Sequence, residues 1–371
     1  MIWMKALELF AGAGGAALGL EAAGFEHLAC VEVEGDAAST LALSGLPAVH
    51  GDVRDLDHYI GMMPGLLWSS FPCQAWSTAG RRKGAEDERG GDMWKATVEV
   101  IDFTEPIWFI GENVVGLTQH RGECDDGCAG PQRCPAAYLD RVILDDLRTR
   151  FAWAGTRILN ASDYGVPQHR RRLIIVAGPA PIDWPEPTHG KPTAQADLFG
   201  RQLEPWVTVR QALGLDGELG GMRNTEANPR QERPAPTDEP SPTVGGKGNA
   251  MYSSRVIAEP SLVERQSGKR GHTKRSLDEP SPTVLAPGQG GFDRLSIAGG
   301  ADRASDALWL ATGRRRLTVE ECAALQGFPA GHPFSGTKTS QYRQVGNAVP
   351  PRLAEVVARA VTNKQEELEE E

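Results

Sequence analysis

The sequence predicts an α/β fold with a mostly parallel sheet, joined to a smaller, irregular second domain. Short apolar runs alternate with helical patterns through the first half of the 371-residue chain, as expected for strands connected by helices. A glycine turn follows the first apolar run directly. From about residue 179 to roughly 314, proline and glycine become dense and the helical periodicity fades. These three observations place a layered core at the two ends of the chain and an insertion between them.

Five apolar runs carry the strand prediction. They are ALELF at 6–10, LACVEV at 28–33, LLWSSF at 66–71, IWFIGE at 107–112 and RLIIVAG at 172–178. Nearly continuous apolar strands are typical of a parallel sheet that helices cover on both faces.

The changes in composition and in hydrophobic periodicity predict four segments along the chain. Residues 1–187 form the first domain, and 188–313 form the irregular one. Residues 314–363 return to the first domain, because LTVEECAALQGF and PPRLAEVVARAVTN are again helical in pattern. The tail 364–371, KQEELEEE, has five Glu in eight residues, a composition that favours disorder.

The irregular domain contains one internal repeat. The heptapeptide DEPSPTV occurs at 238–244 and again at 278–284. Two copies are too few for a solenoid, so we expect a duplicated extended segment with its prolines at turns or strand edges.

Composition and charge narrow the class of protein. Apolar residues make up 40% and charged residues 24% of the chain, which is ordinary for a soluble protein. No run approaches the about 20 apolar residues of a membrane helix, the first residues lack a secretory leader, and the six cysteines are irregularly spaced. We therefore expect reduced thiols, no membrane partner and a cytoplasmic location.

The net charge of −10 argues at first against a nucleic-acid partner. Basic residues are nevertheless clustered, at 81–83, 170–172, 269–275 and 314–316. Because local patches decide phosphate binding, the clusters together keep a nucleic-acid partner open.

The glycine turn predicts a nucleoside site. Gly12 and Gly14 follow the first strand, Ala17 is the third small position, and Glu32 lies at the end of the next strand. This spacing satisfies the dinucleotide fingerprint, in which glycines admit the ligand and the acid binds ribose hydroxyls. An NAD-dependent oxidoreductase therefore remains an alternative, since the motif identifies a ligand class and not a reaction.

Five ordered motifs favour a different reaction. LELFAGAGG, FPCQ at 71–74, GENVVGL at 111–117, PQHRRR at 167–172 and QVGNAVPPRLAE resemble, in order, spacing and wording, the cytosine-5 DNA methyltransferases. The resemblance covers about 1–178 and 314–361. It implies a Rossmann-like methyltransferase domain that uses S-adenosylmethionine, with a mixed, mostly parallel sheet, and it makes 188–313 a target-recognition domain.

The chemistry of this family explains the residue types. Carbon 5 of cytosine is a poor nucleophile until a thiolate adds at carbon 6, and Cys73 is the candidate thiol. Its pKa must fall below the usual value of about 8.5, and the resemblance places Arg170 and Arg172 beside it. Glu112 would hold the ring at nitrogen 3 and act as an acid there.

The resemblance also implies a pocket for S-adenosylmethionine. Glu32 would bind the ribose, Val33 the adenine face and Asp52 the adenine amine, although Val33 and Phe10 are equally compatible with a core role. The remaining residues assigned to the pocket are Phe10, Gly12, Gly14, Val53, Pro72, Asn347 and Val349.

The expected partner is double-stranded DNA. The target cytosine must be flipped out of the stack, and the basic loop with Arg81, Arg82 and Lys83 would close over the duplex. Base-reading residues would lie in the loops GGKGNAMY and APGQGGFDR. The resemblance further implies a monomer in a bacterial or phage-infected cell, with a restriction endonuclease counterpart. A cytosine-5 methyltransferase acting on RNA or transfer RNA, and a catalytically silent relative, are the alternatives.

One cysteine cluster raises the question of a metal. His120, Cys124, Cys128 and Cys134 lie within 15 positions and offer the ligand types that zinc prefers. The spacing is not the paired CxxC, and the family pattern requires no metal here. Reduced thiols without a metal are the prediction, and a zinc site is the alternative.

Overall fold

The computed structural model describes residues 4–72, 93–120, 134–191, 203–214 and 317–371 in full, and the backbone of short strands between 261 and 316. The strands are β1 (Lys5–Leu9), β2 (Glu26–Glu32), β3 (Ala48–His50), β4 (Leu66–Ser69), β5 (Trp108–Val114), β6 (Trp153–Asn160), β7 (Gln168–His169), β8 (Arg171–Gly178), β9 (His189–Gly190), β10 (Glu204–Pro205), β11 (Ser261–Gln266), β12 (His272–Ser276), β13 (Ser281–Pro282), β14 (Phe292–Ala298) and β15 (Arg314–Arg316). The α-helices are α1 (Gly15–Ala22), α2 (Gly35–Leu43), α3 (Met93–Thr104), α4 (Pro135–Tyr138), α5 (Asp145–Arg148), α6 (Val209–Ala212), α7 (Val319–Gln326), α8 (Lys338–Asn347) and α9 (Pro351–Glu370), with a π-helical stretch, Leu139–Leu144, between α4 and α5.

A seven-stranded sheet forms the centre of the molecule, in the order β3-β2-β1-β4-β5-β8-β6. β8 runs antiparallel to both of its neighbours, and the pairings of β1 to β5 among themselves are parallel. The predicted mixed, mostly parallel sheet and its five strands are confirmed. The prediction missed β3, which has three residues, and β6, whose residues are mostly half-buried, because neither is an apolar run.

Successive residues of the central strands point to opposite faces and build two core layers. On one face, Trp68, Trp108 and Ile110 pack with residues of α1 and α9. On the other face, Leu67 and Phe109 pack with residues of α3 and of the helical stretch that ends with α5. The sheet is therefore buried on both sides, which explains the apolar runs that predicted it.

α1 packs unusually closely against the C-terminal part of the chain. A Cβ added at Gly15 would lie 2.1 Å from the backbone oxygen of Val349, and one added at Gly19 would lie 2.3 Å from that of Pro351. Only glycine permits such an approach of helix and backbone. The two glycines, four residues apart on one helix face, thus join the start of the chain to its end.

The irregular region has a sheet of its own. β11, β12, β14 and β15 pair antiparallel in the order β12-β11-β14-β15. The predicted return at residue 314 is therefore early, because β15 belongs to this second sheet, and the first domain resumes with the fully buried Leu317.

The other predicted boundary, at 188, also lies too early for the packing. The backbone N–H of Thr188 donates to the carbonyl of Asp163 over 2.9 Å. Val209 of α6 is buried in one cluster with Ala13 and Leu317. Residues 203–214 therefore pack on the first domain.

The acidic tail is helical, so the expectation of disorder for 364–371 is wrong. α9 continues to Glu370. Gln365 accepts a 2.9 Å hydrogen bond from the indole N–H of Trp108, and Leu368 packs against the core. Lys364 pairs with Glu367 one turn away. These contacts hold a segment whose composition alone would favour solvation.

None of the helices in the described ranges carries an apolar stretch of the length that crossing a bilayer requires.

Glu8 is a buried carboxyl beneath the glycine turn. It is 1% exposed, and no donor among the described residues reaches its Oε2 atom. Burial raises the pKa of Glu8 well above its ordinary value, and the negative charge of Glu32 adds to the rise. Folding therefore favours the neutral acid.

Replacing Gly15 with alanine should destabilise the fold, because its Cβ would collide with backbone that cannot rotate away. We expect a loss of about 1–3 kcal/mol in the free energy of unfolding. The matched control is Gly35→Ala at the first residue of α2, where the added Cβ would meet only His50 at 3.5 Å. Denaturant unfolding measures both, and equal stability of the two variants would contradict this account.

Replacing Glu8 with glutamine should stabilise the protein increasingly as the pH rises. A carboxyl whose pKa is raised by folding gives its full stability below the unfolded pKa, and that stability is lost as the pH rises towards the folded pKa. Glutamine has no proton to lose. Melting temperatures between pH 5 and pH 9 should diverge in favour of the variant. Glu26→Gln, which removes an exposed acid paired with Lys5, is the control without such a gain, and a pH-independent difference for Glu8→Gln would sink the prediction.

Candidate active site

The candidate site lies where the carboxyl ends of β1, β2, β4 and β5 meet. β1 lies between β2 and β4 in the sheet, so the chain order reverses there. Open α/β sheets bind ligands in the crevice at such a reversal. The motifs that follow these four strands are therefore neighbours in space, as their order in the sequence implied.

The glycine turn after β1 has left-handed backbone at three positions. Phe10, Gly12 and Gly14 have φ values of 57°, 56° and 82°. This region favours glycine, and a non-glycine residue there marks local strain at a functional turn. Gly14 ends the turn as the N-cap of α1, and a Cβ on it would meet Leu46 at 2.8 Å. The end of the Leu46 side chain can shift, so it is the positive φ that favours glycine at position 14; a Cβ on Gly12 would meet no atom within 4 Å.

Glu32 ties the turn to the end of β2. Its Oε2 atom accepts a 2.7 Å hydrogen bond from the N–H of Gly12, and its Oε1 atom accepts one of 2.8 Å from that of Glu34. The carboxylate is 8% exposed and keeps lone pairs for further donors. Beside it, the apolar side chain of Val33 is 60% exposed. A fixed carboxylate next to an open apolar surface fits the ribose and the base of an adenosine-containing ligand.

Asp52 and Val53 follow β3 and differ in their surroundings. The guanidinium of Arg54 donates to both oxygens of Asp52, over 2.9 and 2.5 Å, and lowers the pKa of Asp52 to about 2. The acid is therefore ionised at neutral pH. Val53 is buried in the core beside Leu9, so its side chain has a packing role.

Three other residues assigned to the pocket lie on two segments, Pro72 after β4, and Asn347 and Val349 at the end of α8. Pro72 and Asn347 are exposed. The side chain of Val349 is 4% exposed and packs in the core, and its carbonyl faces Gly15. The structure thus brings the segment after α8 to the start of α1, next to the glycine turn.

Glu112 and Arg172 form a buried ion pair. The Nε atom of Arg172 lies 2.7 Å from Oε1 of Glu112, and each side chain is 11% exposed. The register explains the contact, because Glu112 of β5 lies opposite Ile174 of β8 and so two residues from Arg172 on the same face. Burial lowers the pKa of Arg172, and the charge of Glu112 opposes that change. The pair presents a carboxylate whose position is fixed.

Arg170 is hydrogen-bonded to backbone near the C-terminal end of the chain. Its Nη2 atom donates to the carbonyls of Gly346 and Ala348, over 3.0 and 2.8 Å, and its side chain is fully buried. These bonds fasten the end of α8 to the start of β8. They give Arg170 a structural role, and its expected place beside Cys73 stays a prediction, because Cys73 lies outside the described residues.

Asn113 is a site residue that the sequence analysis missed. It is 3% exposed, and its amide donates over 3.1 Å to the carbonyl of Phe71, two residues before Cys73. Its own Oδ1 accepts from the N–H of Val114 over 2.8 Å. The signal was present in the ENV motif, where the Asn directly follows Glu112.

Several predicted residues lie outside the described ranges. They are Cys73, the basic loop 81–83, Cys124 and Cys128. Of the four metal candidates, His120 and Cys134 are described, and the His120 Nδ1 and Cys134 Sγ atoms lie 3.9 Å apart. The question of a metal at these four residues stays a prediction.

Comparisons with known proteins agree on the family. The model of the C-5 cytosine-specific DNA methylase family matches residues 4–363. The type II methyltransferase M.NaeI of Lentzea aerocolonigenes is 32% identical over 370 residues, which cover 96% of this chain and 74% of that protein. The type II methyltransferase M.NgoMIV of Neisseria gonorrhoeae is 32% identical over 363 residues, covering 96% of both chains.

Solved structures agree on the fold. The Dnmt2 methyltransferase of S. pombe has a TM-score of 0.56 at 18% identity, covering 98% of this chain and 99% of that chain. The Entamoeba histolytica methyltransferase EhMeth has a TM-score of 0.56 at 12% identity, covering 97% and 98%. With the family model matched over nearly its whole length, the chain belongs to the C-5 cytosine-specific DNA methylase family.

Proposed function

We propose that the protein transfers a methyl group from S-adenosylmethionine to carbon 5 of a cytosine flipped out of duplex DNA, as the modification enzyme of a restriction system. The observation that carries the proposal is the buried pair of Glu112 and Arg172 at the strand end next to β4, the strand that leads to Cys73. The glycine turn with Glu32 supplies the nucleoside site on the same edge of the sheet. The two features supply the two binding functions that the reaction needs.

The residues divide the chemistry between them. The thiolate of Cys73 adds to carbon 6 of the ring while Glu112, held by Arg172, bonds nitrogen 3 and neutralises the charge that develops there. Carbon 5 becomes nucleophilic and takes the methyl group, which the sulfonium centre of the bound donor supplies. Transfer of the carbon 5 proton to water then restores the double bond and expels Cys73 as the thiolate, and nitrogen 3 returns its proton to Glu112.

Binding of the methyl donor rests on described contacts. The Glu32 carboxylate accepts from the backbone of Gly12 and Glu34, so its orientation is fixed before a ribose arrives. Val33 offers exposed apolar surface for the adenine. The positive end of α1, just after the turn, favours the carboxylate of the methionine part.

The partner and setting follow from the relatives. M.NaeI and M.NgoMIV are named type II methyltransferases, so we propose duplex DNA as the substrate and a restriction endonuclease as the counterpart. We propose that the sheet of β11, β12, β14 and β15 belongs to the part that reads the target sequence. A monomer in the bacterial or phage-infected cytoplasm is the proposed working form.

Glu112→Gln should lower the rate of methyl transfer by about 10²-fold or more, because the amide cannot act as the acid at nitrogen 3. Cys73→Ser should abolish transfer. The assay follows labelled methyl groups from S-adenosylmethionine into duplex DNA, with bisulfite sequencing of the product. The control for Glu112→Gln is Glu99→Gln, an exposed position on α3. Transfer into RNA alone, or normal turnover by Cys73→Ser, would contradict the proposal.

Asn113→Ala should lower kcat about tenfold, because the backbone before Cys73 loses its anchor and a buried carbonyl loses its donor. The lost bond is worth about 1–3 kcal/mol. Thr104→Val is the control, since it also removes a buried hydroxyl bond, to Val100, at the end of α3. Both variants should lower the melting temperature. Only Asn113→Ala should slow turnover, and an equal kcat for the two would remove the positioning role.

A further inference from the structure

The two-residue strand β7 receives contacts from distant parts of the chain. Gln168 and His169 directly precede Arg170. Their backbone pairs in parallel with Ser281 and Pro282 of β13, which lie in the second DEPSPTV copy. The short segment that leads to Arg172 is therefore paired with the backbone of β13, a strand from beyond residue 280.

The imidazole of His169 is held from two directions. Its Nδ1 atom lies 2.9 Å from the hydroxyl of Ser162, which is fully buried. The indole of Trp206 stands against it in a T-shaped arrangement, with ring centroids 4.8 Å apart and planes at 86°. Such ring pairs contribute about 0.5–1.5 kcal/mol beyond their buried area, so Trp206 helps to fix the ring.

Trp206 is itself fixed in place. Its indole N–H donates over 3.1 Å to Oδ1 of Asp163, which also accepts from Asn160 and Ser162 over 3.3 Å each. Its backbone N–H donates over 2.9 Å to the carbonyl of Gly190. The indole therefore has a single orientation, and this orientation suits the contact with His169.

β7 connects the position of His169 to that of the Glu112–Arg172 pair. The N–H of Ala161 donates over 3.0 Å to the carbonyl of Arg170, which closes the turn between β6 and β8. Arg172 follows three residues after His169 on the same extended segment, and its Nε atom meets Glu112. A displacement of His169 would therefore shift the guanidinium that orients the Glu112 carboxylate.

We propose that Trp206 is a positioning residue for methyl transfer, acting through His169 on the Glu112–Arg172 pair. The inference rests on the proposed function, because it assigns the Glu112–Arg172 pair to that reaction. Under this proposal, β7 is where residues beyond position 188 influence the Glu112 carboxylate. The ring of Trp206 contacts His169, and the backbone of β13 pairs with β7.

The test compares two tryptophan removals. Trp206→Ala should lower kcat at least tenfold, with KM for S-adenosylmethionine changed less than twofold, because the glycine turn and Glu32 are untouched. Trp184→Ala is the matched control, since Trp184 also packs against the core, whereas the ring that contacts His169 is that of Trp206. It should lower the melting temperature and leave kcat within twofold of the original chain.

A double-mutant cycle tests the route. If Trp206 acts through His169, Trp206→Ala should have little further effect on kcat in a His169→Ala chain, whereas independent effects would multiply. Trp206→Phe keeps an aromatic ring but is smaller and loses the N–H to Asp163, so its kcat should lie between those of Trp206→Ala and the unmodified chain. His169→Ala and Trp206→Phe also carry the test if Trp206→Ala does not fold.

The outcomes separate the two proposals. An unmodified chain that methylates no cytosine refutes the proposed function. An active unmodified chain whose Trp206→Ala and Trp184→Ala variants have equal kcat, or whose His169 and Trp206 effects multiply, refutes the positioning role and leaves the proposed function standing.

Discussion

The close approach of α1 to the returning C-terminal chain is the constraint on which the rest of the structure depends. At Gly15 there is no room for a side chain, because the carbonyl of Val349 lies where a Cβ would be. The helix that begins at the glycine turn can therefore sit directly against the segment after α8. Arg170 then ties that segment to β8 through the carbonyls of Gly346 and Ala348. Three parts of the chain, far apart in sequence, thus meet at this segment, through the backbone contact at Gly15 and the side chain of Arg170.

The buried ion pair imposes a second constraint. Removing one partner of such a pair is costly because it leaves the other charge buried and unmatched. Glu112 and Arg172 lie on adjacent antiparallel strands, and both side chains are almost fully buried. The insertion of β8 as an antiparallel strand beside β5 is thus what supplies the carboxylate with its partner. A wholly parallel arrangement would place a different end of the strand beside Glu112.

The stretch that precedes the second sheet in the chain already packs on the first domain. Residues 203–214 pack with Ala13 and Leu317, and Trp206 bonds Asp163, so this stretch belongs with the catalytic core. We propose that the second sheet belongs to the part that reads the target sequence, and β13, which pairs with β7, connects that part of the chain to the segment before Arg172.

The sequence by itself determined the features that local pattern encodes. Buried strands are apolar runs, the turn after β1 has glycine at two positions of positive φ, and Glu112 ends the apolar run of β5, so the sheet, the nucleoside turn and the candidate acid could be predicted. Tertiary structure alone decided the partners. Arg170 and Arg172 are the same residue type two positions apart, yet one bonds carbonyls more than 170 residues away and the other bonds Glu112. Likewise the acidic tail is helical because Gln365 and Leu368 meet Trp108 and the core. Composition describes how a segment interacts with water, and it does not describe which distant surface the segment will meet.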